Sequence, residues 1–84
     1  MKADDFKDKV MQSIITEQCI PLVGDWSLFA FMGDTEYHVF IYRDATDKFR
    51  AANDELDNMC SEAYRWFNNE GLTTMLPPFN PRQA

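Results

Sequence analysis

Residues 26–42 constrain the fold more than any other part of the sequence. Two runs rich in aromatic and β-branched residues, 26–32 and 37–42, flank Gly33 and Asp34. Such runs on either side of a turn predict an antiparallel β-hairpin. Glycine suits the first central position of a type II′ turn, so we expect Gly33 and Asp34 to form the centre of the turn.

Both faces of this predicted hairpin are apolar, which is unusual for a short antiparallel pair. Alternation along the strands places Leu28, Val39 and Ile41 on one face. The opposite face carries four aromatic side chains, which are Phe29, Phe31, Phe40 and Tyr42. Either this second face is a further core layer covered by a helix, or it is an exposed patch for a partner or a second copy.

One helix is predicted before the hairpin in the sequence and a second one after it. Residues 4–18 repeat apolar side chains at helical spacing, and residues 45–70 do so every three or four positions. Asp44 is the expected N-cap of the second helix, with Asp47 in the acidic position of a capping box. We expect this helix to pack its Leu56, Met59 and Ala63 side against Leu28, Val39 and Ile41.

The C-terminal tail, residues 72–84, holds three of the four prolines. It is predicted to form either a short edge strand over 72–76 or an extended strap over the core. The chain of 84 residues has room for one domain. The predicted fold is therefore a single α+β domain of order α-β-β-α with a proline-rich tail.

Charge and cysteine content limit the partners and the compartment. Fourteen acidic and eight basic residues leave a net charge of −6, which argues against direct binding to nucleic acid or to an anionic membrane. No apolar run approaches the roughly 18 residues of a membrane helix, and the N-terminus is too polar for a signal peptide. Cys19 and Cys60 are expected to be reduced, core-facing thiols of a cytoplasmic protein.

The sequence contains no recognisable catalytic or cofactor motif. The only histidine is His38, whereas a metal site needs several clustered ligands. A glycine-rich phosphate loop and a nucleophile elbow are both missing from the sequence. We therefore expect no metal, no cofactor and no enzymatic activity; a minimal enzyme built around His38 is the weakest of the alternatives.

Four acidic residues share the predicted water-facing side of the helix 45–70. They are Asp47, Asp54, Asp57 and Glu62. This acidic face either keeps the protein in solution or binds a basic groove on another protein, where spaced carboxylates imitate a row of phosphates.

In size, acidity and lack of catalytic motifs the chain resembles small acidic proteins of phages and mobile elements. Members of that class, such as anti-CRISPR and anti-restriction proteins, bind and block a host enzyme or defence complex. The resemblance implies a non-enzymatic inhibitor with a protein target that has a basic surface. The alternative is a homodimeric structural or regulatory module that uses the aromatic face or an open strand edge.

Overall fold

The computed structural model describes residues 1–71, and the predicted tail 72–84 lies outside them. These residues form two helices, four strands and a terminal π-helical turn, which are α1 (Ala3–Thr16), β1 (Ile20–Pro21), β2 (Trp26–Met32), β3 (Tyr37–Arg43), β4 (Thr46–Asn53), α2 (Leu56–Trp66) and the turn Phe67–Gly71. The strands make one antiparallel sheet in the order β1-β2-β3-β4. The α+β class is confirmed, but the sheet has two more strands than the predicted hairpin.

The hairpin of β2 and β3 is confirmed with a different turn. The Gly33 amide donates to the Glu36 carbonyl at 2.7 Å, so Asp34 and Thr35 are the central residues and the predicted position of Gly33 is wrong. The turn is centred one residue later than predicted, so each residue of β2 pairs with a residue two positions further along β3. Because side chains alternate with a period of two, every side chain keeps its predicted face. Gly33 is needed for space instead, because a Cβ there would lie 3.1 Å from His38 Nε2.

The predicted helix 45–70 is wrong over its first third. Residues 46–53 form β4, which pairs with β3 from Arg43↔Thr46 to Tyr37↔Asn53, and the helix begins only at Leu56. The outer edge of β3 offers a row of backbone hydrogen-bonding groups, and pairing with it outweighs the helical preference of a sequence such as Arg-Ala-Ala.

Asp44 is therefore a turn residue and not a helix cap. It and Ala45 connect β3 to β4 with positive φ angles of 50° and 65°. Positive φ at both central residues defines the type I′ turn, whose twist matches that of the strands it joins. Asp47 lies in β4, so the predicted capping box does not form.

The core lies on one face of the sheet, beneath both helices. Leu28, Val39 and Ile41 are fully buried, as predicted, with Met59 and Ala63 of α2 in the same cluster, while Leu56 is only partly buried at its border. The remaining buried apolar residues come from α1, the sheet, α2 and the π-helical turn, and are Phe6, Val10, Ile20, Trp26, Ala30, Cys60 and Phe67. The prediction for Cys60 is correct, whereas Cys19 is exposed.

Candidate interaction surface

The face of the sheet opposite the helices carries a continuous group of rings. We call it the aromatic face and define it by Phe29, Phe31, His38, Phe40 and Tyr42. None of these residues belongs to the buried core, and Phe31 is 36% exposed. Within residues 1–71, this side is thus not the second core layer that was one of the two expectations.

The rings of the aromatic face contact one another in a row, in which Phe31 is stacked with His38 and with Phe40. The centroid of the Phe31 ring lies 4.8 Å from that of His38, and the two rings are nearly parallel at 7°. It lies 6.0 Å from the ring centroids of both Phe29 and Phe40. Tyr42 continues the row at 6.4 Å from Phe40. These distances fall in the range of favourable aromatic contacts, so each ring of the row packs against at least one other.

A β-bulge brings one ion pair onto the aromatic face. Ile41 and Tyr42 pair with Phe49 and Asp47, which leaves Lys48 without an opposite residue on β3. The extra residue reverses the alternation at that point, so Asp47 and Arg50 point to the same side of the sheet. Their side chains form an ion pair of 2.6 Å, and the Arg50 guanidinium lies 5.5 Å from the centroid of the Phe40 ring.

Tyr42 keeps its proton on this surface. Partial burial raises the pKa of its phenol, and the negative charge of Asp47 raises that pKa further. The hydroxyl is thus a neutral hydrogen-bond donor and acceptor at physiological pH.

A small depression opens in the aromatic face beside β4. Ala52 pairs with His38, and Arg50 with Phe40, so a methyl group sits among three large side chains. The depression has a volume of about 250 Å³, and its lining consists of His38, Phe40, Arg50, Ala51 and Ala52. The sequence prediction missed Arg50 and Ala52, because it assigned both to a helix.

Acidic residues border the aromatic face at both ends. Asp34 and Glu36 are exposed at the turn between β2 and β3. At the opposite end, the Asp44 amide donates to the Asp25 carbonyl, which holds the two turns there together. The Asp25 carboxylate is paired with Arg43 at 3.2 Å.

The acidic face predicted for the long helix does not form as a unit. Asp47 belongs to β4 and Asp54 to the connection before α2, so only Asp57 and Glu62 lie on a helix. Asp57 also pairs with Lys7 of α1 at 2.6 Å. This hydrogen bond, together with the charge of Asp57, raises the pKa of Lys7. All four carboxylates remain exposed, but they are spread over three parts of the chain.

Residues 1–71 contain neither a candidate metal site nor a helix that could span a membrane. Among these residues, no three histidine, cysteine or acidic side chains are grouped so that they could bind a metal ion. Neither helix in this part of the chain has the length and apolar character needed to cross a membrane.

Comparisons of the sequence with protein-family models and with curated proteins, and of the fold with solved structures, find no match.

Proposed function

We propose that this chain is a non-enzymatic, cytoplasmic protein that binds another protein through its aromatic face. The observation that carries the proposal is a row of contacting rings on a side of the sheet that no helix of residues 1–71 covers, while the other side is packed against two helices. Large exposed apolar patches on small proteins mark interaction sites, and aromatic residues are enriched where interfaces are most tightly packed.

The charges around the aromatic face favour a partner with basic groups around an apolar centre. The face itself is close to neutral, because Arg50 is paired with Asp47. One end presents the exposed carboxylates of Asp34 and Glu36, and the other end that of Asp44. Asp25, also at that end, is paired with Arg43. Complementary charge around an apolar contact steers association and selects the partner.

The size of the face supports an interface that extends onto these acidic turns. Strands of seven residues are about 23 Å long, and three strands spaced about 4.8 Å apart make a flat area of roughly 300 Å². A standard interface buries about 800 Å² on each partner. The rings would thus supply the apolar centre and the turns the polar rim of a typical interface.

Inhibition of an enzyme or a defence complex remains the proposed consequence of binding. The acidity, small size and absence of catalytic motifs in the sequence support this role, as they do in the phage and mobile-element inhibitors that the chain resembles. A partner whose basic surface normally binds nucleic acid would lose that surface when the acidic turns cover it.

The alternative is a homodimer that buries the same rings between two copies. Each copy carries a net charge of −6, and two such charges repel one another at low salt. Sedimentation equilibrium decides between the two proposals, because a dimer at micromolar concentration would account for the aromatic face without another protein.

The neighbouring residues Phe31 and Met32 provide a matched test. Both are exposed, Phe31 at 36% and Met32 at 64%, and lie on opposite faces of β2. Met32→Ser therefore removes at least as large an exposed fraction as Phe31→Ser, but from the other side of the sheet. Each immobilised variant is compared with the parent for proteins retained from a host extract, and the best candidate is then purified and its Kd measured.

We expect Met32→Ser to bind this purified protein as the parent does, and Phe31→Ser to bind at least about tenfold more weakly, as is typical for a central interface residue. Circular dichroism checks that both variants are folded. Equal affinities for the parent and Phe31→Ser would contradict the use of the aromatic face.

A further inference from the structure

We propose that the depression at Ala52 is an anchor site that receives one aromatic side chain of the partner protein. This inference rests on the proposed function, because it concerns the same surface. It adds the position at which the partner is held and the chemical class of the group that occupies it.

The walls of the depression make contacts outside it. His38 stacks on Phe31 at 4.8 Å, and on another side it packs so closely against Gly33 that a Cβ there would lie 3.1 Å from Nε2. Arg50 forms an exposed ion pair with Asp47, which favours its present position only weakly. The better-packed wall, His38, should lose little conformational entropy on binding.

The volume fits a single side chain. A cavity of about 150 Å³ is known to hold benzene, whereas pockets for small-molecule ligands usually exceed about 300 Å³. The depression, at about 250 Å³, lies between these limits. It therefore accommodates one ring with its substituents, which is the size of a phenylalanine or tyrosine side chain.

The chemistry of the lining favours a ring over an aliphatic side chain. A guanidinium group is planar and stacks on aromatic rings. The Arg50 Cζ lies over the Phe40 ring at 5.5 Å from its centroid, and the Arg50 side chain is 72% exposed, so a further ring can reach it. A ring from the partner that stacks on the guanidinium gains a cation–π interaction, which an aliphatic side chain does not. The methyl group of Ala52 leaves the space into which that ring fits.

Single-residue amides test the site without knowledge of the partner. The probes are the N-acetyl amides of phenylalanine, tyrosine and leucine, added to protein with ¹³C-labelled alanine methyl groups. Because the ring current of a bound aromatic group shifts nearby methyl signals, we expect both aromatic probes to shift the Ala52 signal upfield. Ligands of this size bind with a Kd of about 1–10 mM, and we expect the leucine amide to bind at least about fivefold more weakly.

Two substitutions on the same face complete the test. Ala52→Leu fills the depression, whereas Ser27→Leu adds similar bulk beside Tyr42, outside the lining. Binding to both variants is followed at the imidazole signals of His38, which lines the depression and is the only histidine of the sequence. Shifts of these signals should be lost in Ala52→Leu and retained in Ser27→Leu. Equal binding of all three probes, or aromatic probes that still bind to Ala52→Leu, would overturn the proposal.

Failure of the anchor site is distinguishable from failure of the proposed function. If Phe31→Ser loses the purified partner while Ala52→Leu binds it with full affinity, the aromatic face is the interface and the anchor is wrong. If the probes bind at Ala52 while Phe31→Ser keeps full affinity for the partner, the proposed interface is wrong, and the anchor fails with it as a partner site.

Discussion

Ser13 on α1 and Ala30 on β2 are joined by a buried hydrogen bond, in which the Ala30 amide donates to Ser13 Oγ at 2.8 Å. The hydroxyl in turn donates to the Gln18 carbonyl at 2.7 Å. The strand β1 pairs with β2 only as far as Leu28, so the amide of Ala30 lacks a strand partner on that side. The serine side chain takes the place of the missing strand and ties the helix to the sheet.

Ser13→Ala should therefore destabilise the protein by about 1–3 kcal/mol, since it leaves the buried Ala30 amide without an acceptor. Urea denaturation measures the change. Thr16→Ala is the matched control, because Thr16 makes an exposed bond to the Gln12 carbonyl on the same helix, and its cost should stay within about 0.5 kcal/mol. Equal losses in the two variants would mean that the link between Ser13 and Ala30 contributes nothing of its own.

Ala45→Gly should stabilise the protein. Ala45 has a φ of 65°, a conformation that costs an L-residue about 1–2 kcal/mol relative to glycine. Part of this gain is offset by the greater freedom of glycine in the unfolded chain, so we expect a net increase of about 0.5–1 kcal/mol in the free energy of unfolding. Ala51→Gly, in the extended part of β4, should lower it.

The sequence predicted the hairpin because its pattern was local. Aromatic and β-branched residues lie on both sides of Gly33, and their alternation placed Leu28, Val39 and Ile41 together on one face, which is buried in the structure. Alternation left open whether the opposite face is covered. The strand β4 was not predictable in this way. Phe49 and Ala51 alternate towards the core, but Phe49, Ala52 and Leu56 also repeat at helical spacing, and only the available edge of β3 decides between the two.

The sequence predicted only the part of the candidate site that lies on the hairpin, because only the hairpin has a local pattern. Its four aromatic residues lie on the hairpin and were recognised as one face. Arg50, Asp47 and Ala52 join that face only through β4 and its bulge, which no local pattern indicates. The four acidic residues do not share one helix face, because Asp47 lies in β4 and Asp54 precedes α2. Their role in binding a partner stays a prediction.

Met59→Ala and Leu56→Ala should differ in their cost. Met59 is fully buried against the sheet, whereas Leu56 lies at the border of the core. We expect a loss of about 2–5 kcal/mol for Met59→Ala, from the lost contacts and the cavity left behind, and a loss of less than half as much for Leu56→Ala. Chemical denaturation of both variants checks this order, and a larger loss at Leu56 would contradict the observed position of α2.

The two thiols should differ in reactivity. Cys19 is exposed and Cys60 is buried, so a disulfide reagent such as Ellman's reagent should modify Cys19 rapidly and Cys60 only as fast as the protein opens. Cys19→Ala should abolish the fast phase and Cys60→Ala the slow phase. Two fast phases would show that the packing around Cys60 is loose.

Cys60 also makes stability depend on pH in the alkaline range. Burial raises the pKa of its thiol, whereas the thiol of the unfolded chain ionises near about 8.5. The stabilisation is thus complete below about pH 8.5 and is lost as the pH rises towards the folded pKa. The free energy of unfolding, measured from pH 7 to 9.5, should fall above pH 8.5 in the parent and in Cys19→Ala, and should fall less in Cys60→Ala.

Acidic residues at different places should affect association differently. Asp34→Asn with Glu36→Gln changes the net charge by the same amount as Asp57→Asn with Glu62→Gln, but only the first pair borders the aromatic face. We expect the first double variant to slow association with the purified partner and to weaken its salt dependence, and the second to do so much less, because charges more than about 8 Å from the contact are screened at physiological salt. If the second double variant slowed association more than the first, the partner would bind the acidic side of α2 and not the aromatic face.

The bulge in β4 has a consequence for how this protein behaves at high concentration. An edge strand is a template on which further copies can add strand by strand, a route to amyloid-like fibrils. Here the described sheet ends on one side in β4, where Lys48 is the extra residue of the bulge, and on the other side in a strand of two residues that includes Pro21. A bulge with a charged lysine and a short edge with a proline are both features that discourage such growth. Within residues 1–71, the sheet thus combines a partly exposed row of aromatic rings on one face with edges that resist polymerisation.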